Sequence, residues 1–515
     1  MVATSAACAS PRDVDVAAWL ARGGPFGATA RVEIVETHAA TIYLSGDRAW
    51  KLKRAVAFGY LDFTTPERRR AALDAELHLN RRTAPSLYLN LHSITVEKDG
   101  TLALDGRGAA IDWLLEMRRF PDEALLAKMV GRMTLDDALL MRLADAVVAF
   151  HATAGIAPGQ DGAERIRRVV DGNTASMAEY PDTLDPQTAT ALTDRLKAWI
   201  ARHSRLLDAR ARAGRIRHCH GDLHLANIVL LDGVPTPFDC LEFDAELATI
   251  DVLYDLAFLL MDFWARGLRR EAGIVANRYL DLSAADESGI ALVPFYMSVR
   301  ASIRAHVLAA QAARTGAADD FDQARRYLAL ARDMLVAVPP RLVAIGGLSG
   351  SGKSTLARSV GGEIGVAPGA RVLRSDVVRK RLAGVGPEQR LDPAQYTEES
   401  SRLVYAELRR LAGEALGAGQ SVIVDAVFSD PAEREAIADV AALCGVGFHG
   451  FWLDVPEAER VRRIEARGPD ASDANGDVAR RQSTLPVVSG GWIVLAAGQD
   501  LPSLHRALER HLRAP

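Results

Sequence analysis

Leu342–Thr355, L-V-A-I-G-G-L-S-G-S-G-K-S-T, divides the chain and decides how its second half folds. Leu342–Ile345 is a short apolar run with β-branched residues, which reads as a buried strand. It leads straight into Gly347-x-x-x-x-Gly352-Lys353-Ser354, the spacing of a phosphate-binding loop. Glycines at these positions let backbone N–H groups turn toward phosphate oxygens with no Cβ in the way. The pattern assigns Gly347, Leu348, Ser349, Gly350, Ser351, Gly352 and Thr355 to the phosphate cradle. Lys353 supplies a point charge for the β/γ-phosphates, and the Ser354 hydroxyl suits Mg²⁺. Thr355–Val360 is predicted to start a helix whose positive end faces those phosphates.

Downstream, strand-like runs recur at Arg371–Ser375, Val422–Asp425, Phe448–Leu453 and Ile493–Ala496, with helical segments between them. This alternation predicts an α/β, doubly wound parallel sheet over residues 341–515. Asp376 falls just past the second strand, where such sheets place ligands. A helix N-cap is the plainer reading of the same residue. Asp425 ends the third strand, a position for a carboxylate near Mg²⁺. Glu457–Arg467 reads as an arginine-rich helix with Arg463 and Arg467 on one face.

Upstream, residues 1–30 are Ala-rich and weakly patterned. Arg31–Lys53 alternates as strands do, with a hairpin signal at Gly46-Asp47. Pro66–Thr83 is rich in helix formers, and strand-like runs follow at Leu87–Val96 and Leu102–Leu104. After Phe120 helical patterning takes over, with Leu140, Leu143, Val147 and Phe150 on one face. A small β-rich lobe followed by a larger helical lobe is expected, closed by Pro339-Pro340. Arg202–Arg217 carries six arginines and a single acid, Asp208. Without aromatic interleaving for base stacking, it reads as a solvated helix face.

His218–Gly233 is the second anchor. Its three histidines and one cysteine are packed too tightly for ordinary zinc-ligand spacing. Asp222 followed five residues later by Asn227 instead matches the base-to-metal-ligand spacing of a kinase catalytic loop. There a carboxylate takes the acceptor hydroxyl's proton and an amide oxygen holds Mg²⁺. Asp239, after a strand-like run, suits the second metal-binding carboxylate.

His220-Gly-Asp-Leu-His-Leu-Ala-Asn227, with Phe238-Asp239 and Asp251-Val-Leu-Tyr-Asp255, resembles the aminoglycoside phosphotransferase family. The resemblance implies an α+β, two-lobed protein-kinase-like fold over 31–338. It implies Asp222 as catalytic base, Asn227 and Asp239 as Mg²⁺ ligands, and Asp255 as a brace for the catalytic loop. Ala49-Trp-Lys51-Leu-Lys53 resembles the strand bearing the nucleotide lysine, with Glu76 as its helix partner. Lys51 is preferred because the family's lysine closes an aromatic-x-Lys run, but Lys53 shares its face under period-2 alternation. The adenine-binding hinge is expected near Leu115–Arg118. A glycine-rich loop over the phosphates is missing, as is common in this family, and no expected polar position is replaced.

The C-terminal half resembles the small P-loop kinases, among them gluconate kinase, chloramphenicol phosphotransferase, polynucleotide kinase and zeta-type toxins. By that resemblance Asp376 deprotonates the acceptor hydroxyl, Arg379 contacts substrate, and Arg463 and Arg467 are lid arginines on the nucleotide. The whole arrangement resembles fusions of an aminoglycoside phosphotransferase-like domain with a P-loop kinase (AAA-type ATP-binding) domain.

Composition fits these expectations. Hydrophobic residues make up 49% and charged residues 25%, a globular profile. A net charge of −4 provides no global field for nucleic acid or anionic membrane. Four scattered cysteines and no basic-then-apolar leader point to a reducing, cytoplasmic setting. The most apolar stretch, Val252–Trp264, is too short for a bilayer and is interrupted by Asp255 and Asp262. The expected function is ATP- and Mg²⁺-dependent phosphoryl transfer to hydroxyls of small molecules at two sites. The alternatives are a nucleotide or polynucleotide kinase in the C-terminal half, or one half that senses ATP without turnover.

Overall fold

The computed structural model describes all residues except 1–14, 28–29, 38, 59–60, 243–244, 467–469, 483–490, 497–499 and 514–515. The chain forms two compact units, residues 1–134 with 218–250 and residues 135–217 with 251–515.

The first unit is built on a six-stranded antiparallel sheet. Its spatial order is Glu33–Glu36, Ala40–Ser45, Arg48–Lys53, Ala109–Arg118, Tyr88–Val96 and Leu102–Leu104. The Gly46-Asp47 turn joins the second and third of these, with Gly46 at φ 59°. Helix Pro66–Asn80 starts where expected, with Pro66 in its first turn and the Thr65 hydroxyl accepting from Arg68 N–H. It packs Leu73 and Leu77 against Tyr88, Leu115 and Met117 of the sheet. Val229 and Leu231, from the hairpin Ile228–Leu231/Val234–Pro237, complete that core.

The expected hinge at Leu115–Arg118 needs correction. Leu115, Glu116 and Met117 lie between two strands, paired with Lys51, Trp50 and Ala49 on one side and with Leu91, Asn90 and Tyr88 on the other. Their backbone groups are in the ladder, so the chain leaves the sheet only after Arg118.

The second unit contains a helical part and a parallel sheet. Its longer helices are Asp137–Thr153, Gly162–Ala178, Pro186–Arg212, Val252–Ala265, Arg269–Leu282, Val293–Thr315 and Ala318–Asp333. Helix Val252–Ala265 is buried on nearly every side, and its two acids are matched. Asp255 Oδ2 lies 3.0 Å from His151 Nε2, and Asp262 accepts from Arg266 at 3.0 Å. No helix among the described residues is long and apolar enough to cross a membrane. The arginine-rich segment is not wholly a solvated face. Arg210 is 2% exposed and forks onto Asp251 at 2.7 Å, with Asp286 at 2.9 Å. Its partners lie 41 and 76 residues away, outside the reach of local patterning.

The sheet runs Arg371–Arg374, Val422–Asp425, Arg341–Gly347, Gly447–Asp454, Ile493–Ala496 in space, with every pairing parallel. Apolar side chains cover both faces: Leu342, Ala344 and Val424 point into one core, Val343, Ile345 and Ile423 into the other. That is why these strands read as continuous hydrophobic runs. Within this unit the helical part is docked on the sheet's edge. Asn277 accepts from Val372 N–H at 2.7 Å and donates to the Ala370 carbonyl at 3.0 Å. The buried Arg371 reaches Glu287 at 2.6 Å and Asp281 at 2.8 Å. Gly273 meets Gly362 backbone to backbone: a Cβ on Gly362 would lie 2.2 Å from the Arg269 carbonyl oxygen.

Candidate functional site

In the first unit, strand, helix and loop bring the sequence-singled residues together. Lys51 Nζ lies 2.6 Å from Glu76 Oε1 and 3.2 Å from Asp239 Oδ1. Lys53 Nζ lies 2.8 Å from the other Glu76 oxygen and 2.6 Å from Glu242. Both lysines therefore converge on one carboxylate, as their shared strand face demands. They differ in surroundings. Lys53 is buried against Glu242, whereas Lys51 faces Asp239, whose side chain is 43% exposed. Burial works to raise the pKa of Glu76, but Lys51 and then Lys53 outweigh it and hold the carboxyl at about 2. For Lys51 burial again opposes the charge, and Asp239 and Glu76 outweigh it, so its pKa is raised. Glu242 was not singled out in the sequence; an acid three residues after Asp239 was the signal available.

The loop is fixed by its own backbone. Gly221 adopts φ 83°, and a Cβ there would meet Leu241 at 3.0 Å. His220 Nε2–H donates to the Phe238 carbonyl at 2.9 Å, and its Nδ1 accepts from Asp222 N–H at 3.3 Å. Asn227 Nδ2 donates to the Asp222 carboxylate at 2.9 Å and to its carbonyl at 3.0 Å. That orientation leaves the Asn227 amide oxygen as its acceptor atom. Asp239 takes a left-handed backbone, φ 61°, which is rare for a residue with a side chain. The turn is held by Tyr88 Oη, which accepts from Asp239 N–H, and by Asn80, which accepts from Cys240 N–H at 2.8 Å. An amide oxygen and a carboxylate are hard oxygen donors, the kind Mg²⁺ takes. Asp255 lies in the other compact unit, paired with His151.

In the second unit the phosphate loop follows its strand as expected. Gly347, Gly350 and Gly352 have φ of 141°, 83° and 93°, and helix Lys353–Gly361 begins immediately. A Cβ on Gly350 would lie 2.5 Å from the Arg460 carbonyl oxygen. Ser354 Oγ donates to Asp425 Oδ2 at 2.5 Å, so hydroxyl and carboxylate form one oxygen pair suited to Mg²⁺. Lys353 donates to the Leu348 carbonyl at 3.2 Å. Burial pulls its pKa down, against the pull of Asp425 and Asp376. Asp376 sits in the first turn of helix Ser375–Leu382, whose N-cap is Arg374, so the N-cap reading is corrected. Burial raises the Asp376 pKa, with nearby Arg374 acting to lower it and Asp425 to raise it.

Arg379 donates to Ser400 and Ser401 hydroxyls at 3.0 and 3.3 Å, and its guanidinium lies 5.0 Å from the Tyr396 ring centroid. Arg463 reaches the Ser351 carbonyl at 3.4 Å and Glu459 at 2.6 Å. Arg467 lies outside the described residues. Two arginines went unnoticed in the sequence. Arg460 is 2% exposed and donates to the Ser349 carbonyl at 3.3 Å, bracing the loop from beneath. Arg374 pairs with Asp470 at 2.6 Å and lies 3.6 Å from Asp425. Neither occupies a motif position, and their partners lie far along the chain.

Comparison with known proteins matches both halves. The Phosphotransferase enzyme family (APH) model matches residues 114–291, and the AAA domain model matches 342–484. The chain thus joins an aminoglycoside phosphotransferase-like kinase region to a P-loop kinase domain. Uncharacterized protein Rv2004c of Mycobacterium tuberculosis is 31% identical over 458 residues, 87% of this chain and 89% of its own. Mb2027c of Mycobacterium bovis matches to the same extent. The chain belongs to the same family as these two proteins. Among solved structures, a thermostable mutant of aminoglycoside phosphotransferase APH(4)-Ia is 15% identical, covering 62% of this chain and 98% of its own, with a TM-score of 0.37. A gluconokinase from Sinorhizobium meliloti is 20% identical, covering 34% and 95%, with a TM-score of 0.25.

Proposed function

We propose that the protein is an ATP- and Mg²⁺-dependent phosphotransferase with two sites, each moving a γ-phosphoryl group to a hydroxyl of a small molecule. The observation that carries this reading is the P-loop cluster. Lys353, the Ser354–Asp425 pair at 2.5 Å and the half-buried Asp376 stand together at the end of a parallel sheet. Lys353 and the loop N–H groups hold the phosphates, and Asp376 accepts the acceptor's proton. Ser354 and Asp425 hold Mg²⁺, which when bound neutralises charge on the transferring group. A carboxylate whose pKa burial raises suits a general base better than an ordinary one does.

In the first unit Lys51, kept in place by Glu76, binds phosphates. Asn227 and Asp239 hold Mg²⁺, and Asp222 receives the hydroxyl proton. In the P-loop half Arg463 serves as a lid arginine on the nucleotide and Arg379 contacts the acceptor. The reaction and the near-neutral charge fit a cytoplasmic enzyme of small metabolites.

The test is a [γ-³²P]ATP screen of a metabolite extract with the full chain and with its Lys353→Ala and Asp222→Asn variants. Full-length protein is required because the helical part and the P-loop sheet share one compact unit. Two labelled products, each lost in one variant only, support the proposal. Labelling of 5′-hydroxyl oligonucleotides alone would move the C-terminal half to polynucleotide kinases. ATP binding without any labelled product would leave a sensor.

A further inference from the structure

At the sheet's edge, helix Arg269–Leu282 and the P-loop half enclose a cavity of ≈ 60 Å³. A water needs roughly 10–15 Å³ of such space, so the cavity has room for a tetrahedral oxyanion. Ile274, Val372 and Val377 give it apolar walls; Arg358 and Arg374 give it charge. The Nε–H groups of both arginines are buried without a hydrogen-bond acceptor. Arg358 Nε lies 3.1 Å from Asp137 Oδ2 and Arg374 Nε 3.6 Å from Asp425 Oδ2, ion pairs without hydrogen-bond alignment. Asp137 is also shared with Arg270. Burial, and after it Arg374, pulls Arg358 below its ordinary pKa: the two guanidiniums crowd each other.

The other polar groups of the lining are matched. Arg278 forks onto Asp145 and Glu388, Asp281 pairs with Arg371, and Asp470 accepts from Arg374. Asn277 is bonded to the backbone at residues 370 and 372. What remains unmet is donor capacity on two cations, and an unmet buried donor costs free energy until an acceptor arrives.

We propose that this cavity is an anion-binding site outside the phosphate loop, sharing only the Arg374 flank with the Ser354–Asp425 pair and taking phosphate or the phosphoryl head of a phosphomonoester. Guanidinium groups match such oxygens in geometry and charge. The phosphate loop contributes no residue to the lining. The helical part and the sheet edge both do, so a bound anion joins them through Arg358 and Arg374.

The experiment uses the full chain with saturating AMP-PNP and Mg²⁺, which fill the phosphate loop and remove it as a competing anion site. Inorganic phosphate, glycerol phosphate and sulfate are titrated by calorimetry, and hydrogen exchange is measured on the phosphate-loaded wild type. Saturable binding of one equivalent is expected, with slowed exchange in 269–282 and 371–378. Arg358→Gln is expected to weaken binding at least tenfold. The tighter of phosphate and glycerol phosphate identifies the source of the anion. Lack of saturable binding, protection elsewhere, or equal affinity in Arg358→Gln overturns the proposal. If that variant does not fold, the wild-type exchange pattern decides alone.

Discussion

Glu76 is fully buried and carries two lysines on its two oxygens. Glu76→Gln removes the charge that compensates both. Breaking a buried pair from one side costs about 3–5 kcal/mol, and chemical denaturation measures it. Because the folded-state pKa is lowered to about 2, the pair's contribution is complete above the ordinary glutamate value and fades as pH falls toward 2. The lysines separate by readout. Lys51→Ala is expected to weaken ATP binding at the first site, because Lys51 faces the half-exposed Asp239. Lys53→Ala is expected to show mainly as lost stability, since it strips the buried Glu242 of its partner. Equal ATP affinity in the Lys51 variant and loss in the Lys53 variant would reverse the assignment. In the second unit, Asp376→Asn should suppress transfer to the acceptor while slow hydrolysis of ATP persists. A base must be ionised, and burial raises the Asp376 pKa, so transfer should fall away on acidification at a higher pH than an ordinary aspartate allows. A pH–rate profile flat down to that ordinary range removes Asp376 as the base. The sequence displays Lys353, Ser354 and Asp222 openly, because their spacing is set by local backbone geometry. It conceals Arg374, Arg460 and Glu242, whose partners are fixed only by tertiary contact.

Elements rather than residues fix the phosphate loop's shape. Gly350 at φ 83° lies against the backbone of helix Glu457–Glu465. Gly350→Ala therefore meets both a left-handed backbone and the Arg460 carbonyl. It should raise the KM for ATP in the P-loop half at least tenfold and leave the first unit's KM unchanged. Steady-state kinetics with each unit's acceptor checks this. The strands of the parallel sheet were readable to within two residues at each end, because burial on both faces leaves unbroken apolar runs. The hinge was misplaced because an extended run says nothing about how far its pairing continues; Leu115–Met117 sit inside the ladder. Helix Pro186–Arg212 misled differently. Its charge suggested solvent, but Arg210 turns inward to acids supplied by residues 251 and 286.

For the whole molecule, the two chemistries are expected to be separable while the architecture is not. Lys353→Ala should abolish transfer in the P-loop half, and Asp222→Asn should cost the first site about 10²–10⁴ in rate. Each should leave the other product intact in the labelling assay, and loss of both products in either variant would mean the sites depend on each other. Residues 341–515 expressed alone should be markedly less stable than in the full chain. Severing at Pro339-Pro340 bares Arg371, buried in the intact protein, and strips it of Asp281 and Glu287. A melting temperature equal to that of the full chain would contradict this.

The contact between Gly273 and Gly362 bears on how such a protein can be rearranged. Two backbones meet there at a distance that tolerates no side chain on Gly362. A kinase domain spliced in after residue 340 from a free-standing enzyme would bring its own residue to that position. Any residue but glycine would hold the graft off the helix and leave Asn277 without its bonds to the sheet edge. The linker is therefore an easy place to cut the gene but a poor place to recombine it. A chimaera that keeps the helix must keep glycine at 362, because the close neighbour there is the helix backbone at Arg269 and Arg270 and not a side chain that could be trimmed.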